Sequence, residues 1–254
     1  MEDGIAVKVS TLQYRELLSF YGADQATADT VLGLIREVKA AKGDPKGGWW
    51  RAYSDLVASH FDHYMSLEEA CDRSTTFQAV LLPGLLQTAA YRRAITLTAD
   101  PDMSAVDVER RIELAARRRV KVEAGGDFEM NVLLSESVLR HRIGGPAVMA
   151  EQLHHLAEVG RLPGVSIRVV PESAGSYLGL VVGPFTLFEF PRLPHSRMHE
   201  PPVVFVECYE GALFHEDADM VERYRRAVRE CERVALDQGD TRQLILAYAK
   251  EFAA

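Results

Sequence analysis

The sequence predicts an α+β fold, in which helices surround a mostly antiparallel sheet and a short all-helical segment comes first. Three observations predict it. Apolar residues recur at helical spacing up to residue 42, without strand-like alternation. A breaker rich in glycine occupies residues 43–48. Beyond residue 125, short apolar runs flanked by Gly or Pro are mixed with helical patterns and show no internal repeat.

Two helices are predicted in the N-terminal segment. Ser10 is a suitable N-cap for the first helix, and Gly22 is a suitable residue to end it. The second helix is expected from about Thr27 to Lys42. The breaker that follows is the predicted domain boundary. It separates a helical unit, residues 1–42, from an α+β unit, residues 49–254.

The middle of the chain is expected to be mainly helical. Residues 49–72 form one predicted helix, because aromatic and apolar side chains recur there at steps of three and four. Residues 75–82 have the composition of an extended strand. A helix is expected after Pro83, since proline presets the backbone of a first helical turn. Ser104 then caps a long charged helix that ends near residue 123.

The last part of the chain supplies most of the predicted sheet. Apolar or alternating runs bounded by Gly or Pro predict four strands and a further short one. The predicted strands are residues 128–134, 166–170, 185–190, 203–207 and 212–214, and the predicted helices around them are residues 146–160, 218–236 and 241–252.

Charge and composition exclude several classes of protein. The net charge of −8 is the opposite of what a free-standing DNA-binding protein needs to neutralise phosphates. No apolar run approaches about 18 residues, and no secretory signal pattern is present, so we expect no membrane contact. The cysteines, Cys71, Cys208 and Cys231, are widely spaced and predict reduced, mostly buried thiols in a cytoplasmic protein.

A metal site and a cofactor are not expected. His60 and His63 can share one face of a predicted helix, but two imidazoles need a third ligand to chelate a metal ion. Solvated or partly packed histidines explain this spacing more simply. The chain also contains no dinucleotide-binding, phosphate-binding or nucleophile-elbow motif.

Aromatic side chains and strand-end carboxylates are the candidate lining of a ligand pocket. Trp50, Tyr53 and Tyr64 belong to an aromatic stripe that forms either a pocket wall or simply core. Glu136 and Glu207 follow apolar strands, so alternation aims each either into a cavity or into solvent. We predict an apolar cavity between the 49–72 helix and the sheet, near one of these two carboxylates.

A basic run, Arg117-Arg118-Arg119, lies on the predicted helix that Ser104 caps. Arg110 and Arg111 precede it by one or two turns, and acidic residues are interspersed at helical spacing. This pattern indicates a solvent-exposed face with salt bridges rather than a nucleic-acid interface.

Several distinctive motifs follow one another along the chain. They are Gly48-Trp49-Trp50, Pro83-Gly84-Leu85-Leu86-Gln87-Thr88 with Tyr91, Gly144-Gly145-Pro146, Gly183-Pro184-Phe185-Thr186-Leu187 and Pro202-Val203-Val204-Phe205-Val206-Glu207. Together they resemble one family, the C-terminal domain of actinobacterial helix-turn-helix transcriptional regulators of the XRE type, the WhiJ-like, antitoxin-like group. The likeness extends from about residue 5 onward.

The resemblance implies a five-helix DNA-binding domain followed by an α+β sensor or interaction domain. Members resemble regulators of development and antibiotic production, often paired with a small partner protein. Residues 1–4 resemble the end of the recognition-helix region, so residues 1–42 are interpreted as a remnant of the DNA-binding half plus a connector. Phe77, Gln78 and His60 depart from the family pattern next to the Pro83 motif, and we expect them to alter a pocket there.

Two functions are therefore compatible with the sequence. The first is an effector-sensing or protein-interaction domain of a regulator, which takes a small-molecule effector or a small partner protein and is compatible with a homodimer. It would bind DNA only with a full helix-turn-helix domain. The second is a repurposed domain that acts as an enzyme in natural-product biosynthesis. We favour the first, because no catalytic set is recognisable.

Overall fold

The computed structural model describes residues 9–43, 48–58 and 60–253. The predicted recognition-helix remnant, residues 1–4, and most of the predicted breaker, residues 44–47, lie outside the described residues. The chain divides into two compact units. The first contains the described residues up to Trp49 together with 190–200, and the second contains the described residues of 50–189 and 201–253.

Helices account for most of the described chain. They are α1 (Thr11–Phe20), α2 (Gln25–Gly43), α3 (His60–Ala70), α4 (Ala89–Ala99), α5 (Ala105–Glu123), α6 (Ser137–Arg140), α7 (Pro146–Val159), α8 (Gly179–Val182), α9 (Ala218–Val234) and α10 (Gln238–Ala253), with 3-10 turns at Trp49–Tyr53, Gly84–Leu86 and Glu172–Ala174.

One six-stranded sheet forms the centre of the second unit. Its strands are β1 (Arg73–Gln78), β2 (Glu129–Ser135), β3 (Val165–Val170), β4 (Phe185–Glu189), β5 (Val203–Cys208) and β6 (Gly211–His215). The order is β3-β2-β1-β4-β5-β6. The pairings of β4 with β1, of β5 with β4 and of β6 with β5 are antiparallel, whereas β1–β2 and β2–β3 are parallel. This confirms the predicted α+β fold with a mostly antiparallel sheet.

Strand alternation places a core on each face of the sheet. Val132 and Leu134 of β2 pack into a cluster with side chains of α7 and α10. Leu133, between them in sequence, packs on the other face with Phe77, Phe185 and residues of α9. Because successive side chains of a strand point to opposite faces, one apolar run serves both cores.

The first unit combines the two N-terminal helices with a later loop. Ser10 caps α1 through the predicted hydrogen bond, since its hydroxyl accepts the amide of Gln13. The Glu37 carboxylate accepts the amides of His195 and Ser196 at 2.6 and 3.2 Å. This carboxylate ties the 190–200 loop to α2, a contact between residues far apart in the sequence.

The prediction of one helix over residues 49–72 is wrong. A 3-10 turn at Trp49–Tyr53 is followed by α3, which begins at His60. The Trp50 indole donates a hydrogen bond of 2.7 Å to the Asp62 carboxylate. A continuous helix would separate residues 12 apart by about 18 Å, so this bond requires the chain to turn back between them.

Candidate functional site

A cavity of about 330 Å³ lies within the second unit, over one face of the sheet. Residues of four strands, β1, β2, β4 and β5, line its floor from the sheet side, including Ser74, Thr76 and Gln78, which alternate along β1. Register aligns the neighbouring floor positions, because Thr76 pairs with Thr186 and Thr186 pairs with Phe205. The walls come from α3, α4, α5 and the segment between β1 and α4. The volume is at the lower end of the range for small-molecule sites.

The wall between β1 and α4 is the corner at residues 82–88, which carries the most recognisable motif of the sequence. Its turn is a 3-10 helix, Gly84–Leu86, and Thr88 then caps α4. The buried side chain of Gln152, on α7, forms two hydrogen bonds with the backbone of this corner. Its amide donates to the Leu86 carbonyl at 2.7 Å, and its carbonyl oxygen accepts the Thr88 amide at 2.6 Å. The corner is therefore anchored to α7 by one side chain.

Gly84 allows an arginine to lie against this corner. A Cβ atom at Gly84 would be 3.2 Å from Nη1 of Arg118, closer than most such contacts. Gln87 connects the two ends of the corner, because its side-chain amide donates a hydrogen bond of 2.8 Å to the Leu82 carbonyl. The glycine and the glutamine of the motif therefore both serve the cavity wall.

A buried ion pair lies at the back of the cavity. Arg118 donates from Nε and Nη2 to the two oxygens of Glu68 at 2.8 and 2.7 Å, and both side chains are about 5% exposed or less. Its guanidinium also lies over the rings of Phe61 and Tyr64 at 5.2 and 5.4 Å. Burial disfavours the charged guanidinium, but the attraction of Glu68 outweighs it and raises the pKa of Arg118. The two charged groups therefore bond to each other, and the guanidinium also contacts the two aromatic rings.

Arg92 is the cavity cation that lacks such an arrangement. Its Nη1 donates to the Gln87 carbonyl oxygen at a long 3.3 Å. Its Nε is buried and has no hydrogen-bond partner among the described residues. Burial, together with repulsion from Arg118 and Arg111, lowers the pKa of Arg92 to about 10. A cation held in this way has unused capacity to bind an anion.

Three of the predicted pocket residues line this cavity. Tyr64 packs edge-on against Phe205, with 4.7 Å between ring centroids. Burial and the nearby Glu68 carboxylate raise the pKa of Tyr64 well above its usual value, so its phenol stays protonated. Gln78 lies on the floor and donates to the Thr76 hydroxyl at 3.0 Å. Glu207 is exposed and lies at the rim.

Two other predicted residues lie elsewhere. Phe77 is fully buried on the opposite face of the sheet, where it packs edge-on against Tyr177. Glu136 accepts the Tyr248 hydroxyl at 2.6 Å and the Glu172 amide at 2.7 Å. Burial and hydrogen bonding to Glu136 raise the pKa of Tyr248 to about 12. These contacts give Glu136 a structural role in connecting α10 to the loop after β3.

The three remaining predicted residues lie outside the cavity wall. Trp50 borders a separate hollow with Phe61 and Asp62. Tyr53 is buried beneath Arg117, whose guanidinium carbon lies 6.0 Å from the ring centre. His60 begins α3 and does not line the cavity. Within the described residues, no group of three or more His, Cys, Asp or Glu side chains could hold a metal ion.

Sequence reasoning missed the three charged residues that define the site, Glu68, Arg92 and Arg118. The expectation that Arg118 belongs to a solvent-exposed basic face is wrong, because Arg118 is buried. A signal was present, since Arg118 lies four residues after Leu114 and four before Val122, in the buried stripe of α5. An arginine in the apolar stripe of an amphipathic helix requires a buried partner, and Glu68 provides it.

The three cysteine thiols differ in their exposure to solvent. Burial raises the pKa of Cys71 to about 12 and that of Cys231 to about 11, whereas Cys208 is exposed. Because the thiolate is the nucleophile, iodoacetamide at pH 8 should modify Cys208 alone in the folded protein, and all three thiols after denaturation. Peptide mass mapping measures this. Alkylation of Cys71 or Cys231 at the rate of Cys208 would contradict the burial described here.

Comparison with protein families adds an independent finding. The family model described as Domain of unknown function (DUF5753) matches residues 61–247, about three quarters of the chain. The chain belongs to the DUF5753 family. No curated protein and no solved structure shows a significant match. The cavity residues from Phe61 to Glu207 lie inside the DUF5753 match, whereas Trp50 and Tyr53 precede it. No helix of the described residues is long and apolar enough to cross a membrane.

Proposed function

We propose that residues 49–254 are the effector-sensing or protein-interaction domain of a transcriptional regulator of the antitoxin-like type, acting in the cytoplasm. One observation carries the proposal. The Pro83–Thr88 motif, which bears the resemblance to regulators, forms a wall of a ligand-sized cavity. A motif held in this position is consistent with a domain that couples occupancy of the cavity to the packing of its helices.

The chemistry of the cavity favours binding over catalysis. Its carboxylates are Glu68, which is engaged in the ion pair, and Glu207, which is solvent-exposed at the rim. The Thr76 hydroxyl donates to the Phe185 carbonyl at 2.9 Å, and among the described residues it otherwise bonds to Gln78 and Thr186, neither of which is a base. A nucleophile needs an adjacent base that a third group orients, and the described lining shows no such set. The alternative enzymatic role therefore gains no specific support.

The proposal predicts weak, non-specific DNA binding by residues 1–254. The net charge of −8 opposes binding to phosphates, since affinity for duplex DNA depends on the number of phosphates that cations neutralise. In an electrophoretic shift assay at 150 mM salt, we expect no sequence-selective complex below micromolar protein. Nanomolar, sequence-selective binding by this chain would contradict the prediction.

Native mass spectrometry of the protein purified from its host tests the proposed function. We expect the chain to retain either a small-molecule mass or the mass of a small partner protein. The first result assigns an effector-sensing role and the second an interaction role. A chain that carries neither, even after incubation with host extract, would overturn the proposal, as would turnover of an extract component.

A further inference from the structure

Several features of the structure disfavour the positive charge of Arg92. Arg92 lies in the first turns of α4, four residues after the N-cap Thr88. The helix dipole places partial positive charge at this end, so it disfavours a cation there. Burial and two neighbouring guanidinium groups, those of Arg111 and Arg118, disfavour the same charge. Violations of local rules of this kind are characteristic of functional sites.

Arg92 has no carboxylate partner within 4 Å among the described residues. Two guanidinium groups, Arg92 and Arg118, and two carboxylates, Glu68 and Glu207, line the cavity. A third guanidinium, that of Arg111, does not line it but is close enough to repel Arg92. Glu68 is committed to Arg118, and Glu207 forms no ion pair with Arg92 within 4 Å among the described residues. Glu207 lies at the solvent-exposed rim, where water screens its attraction. The interior near Arg92 is therefore a region of positive potential.

The remainder of the lining suits a flat apolar group. The aromatic rings of Phe61, Tyr64, Phe188 and Phe205 line the cavity. Ile95, which is on α4 like Arg92, adds an aliphatic side chain to the lining. Tyr64 stacks on Phe61 with an interplanar angle of 13° and meets Phe188 edge-on. Rings in such arrangements bind other planar apolar groups favourably.

We propose that the cavity binds a small monocarboxylate with a flat apolar body, whose carboxylate is held by the guanidinium of Arg92. This inference rests on the proposed function and specifies its ligand class. A planar guanidinium matches a carboxylate through paired hydrogen bonds. Among the described residues, the Arg92 guanidinium lines the cavity and donates only the long hydrogen bond from Nη1 to Gln87. A single charge fits better than two, because Glu207 at the rim repels a dianion.

Benzoate and its neutral counterpart benzamide test the proposal, with binding measured by saturation-transfer NMR at pH 7.5. We expect benzoate to bind about tenfold or more tightly than benzamide, the size expected for a charge-assisted hydrogen bond. Arg92→Met should reduce benzoate affinity to that of benzamide, while benzamide affinity stays unchanged and shows that the cavity is intact. Arg93→Gln is the matched control, because Arg93 pairs with Glu109 at the surface and should leave both affinities unchanged.

Four outcomes would overturn the inference. They are equal affinity for benzoate and benzamide, benzoate binding that survives Arg92→Met, tighter binding of phenyl phosphate than of benzoate, and no benzoate binding at all. The first two leave the proposed sensing function standing with a neutral ligand or another anchor. Failure of the proposed function is seen separately, as the absence of any retained ligand or partner in protein from the host.

Discussion

Glu68→Gln should destabilise the protein by about 3–5 kcal/mol, because it leaves the buried Arg118 guanidinium without its counter-charge. The expected measurement is urea unfolding, with a lower midpoint and an unchanged slope. Replacing both partners, as in Glu68→Met with Arg118→Met, should restore much of the loss, since an apolar pair of similar volume needs no charge compensation.

A surface pair provides the control for this experiment. Arg73 and Glu129 form an ion pair of 2.7 Å on neighbouring strands, but more than half of each side chain is exposed. Glu129→Gln should therefore cost less than about 1 kcal/mol. If the two substitutions lowered the free energy of unfolding equally, the Glu68–Arg118 pair would not be the buried, stabilising ion pair described above.

Gln152→Leu should cost about 2–6 kcal/mol of stability. The substitution keeps the size of the side chain but leaves two buried backbone groups, the Leu86 carbonyl and the Thr88 amide, without partners. Each unsatisfied buried group costs about 1–3 kcal/mol. The loss falls on the corner that forms the cavity wall, so any ligand affinity should fall together with stability.

Gln238→Leu is the corresponding control on α10. Gln238 is exposed and donates one hydrogen bond of 3.1 Å to the Ser166 hydroxyl. Because water can replace that partner, the cost should stay within about 0.5 kcal/mol. A Gln152→Leu protein as stable as Gln238→Leu would show that the corner does not depend on this anchor.

Local signals explain which elements the sequence predicts well. The helix expected from Ser104 to residue 123 matches α5, because an N-cap and an apolar stripe are encoded within the segment itself. The strands after residue 125 are predicted to within a few residues for the same reason. The parallel pairing of β1 with β2 could not be predicted, since two helices separate these strands in the sequence. Neither could the turn that brings Trp50 back to Asp62, because the 49–72 pattern fits a helix equally well locally.

The candidate site was predictable only in part. The sequence predicts a cavity between the 49–72 segment and the sheet, near Glu136 or Glu207. Of the eight candidate pocket residues, Tyr64, Gln78 and Glu207 line one cavity and the other five do not. The sequence did not indicate that Arg92 and Glu68 face the same space, because they come from α4 and α3, and their approach depends on how both helices pack on the sheet. Apolar character was expected, whereas the cavity contains buried charge.

The central claim is that this cavity is where a ligand of the chain binds. Native mass spectrometry of the wild-type protein and of Gln78→Trp, both isolated from host extract, tests it most directly. Gln78 lies half-buried on the floor and, among the described residues, forms its hydrogen bond with Thr76 and none with Glu68 or Arg118, so tryptophan should fill the space without breaking that pair. We predict that the wild-type protein retains a small molecule and that Gln78→Trp does not. Retention of the same molecule by both proteins would contradict the account.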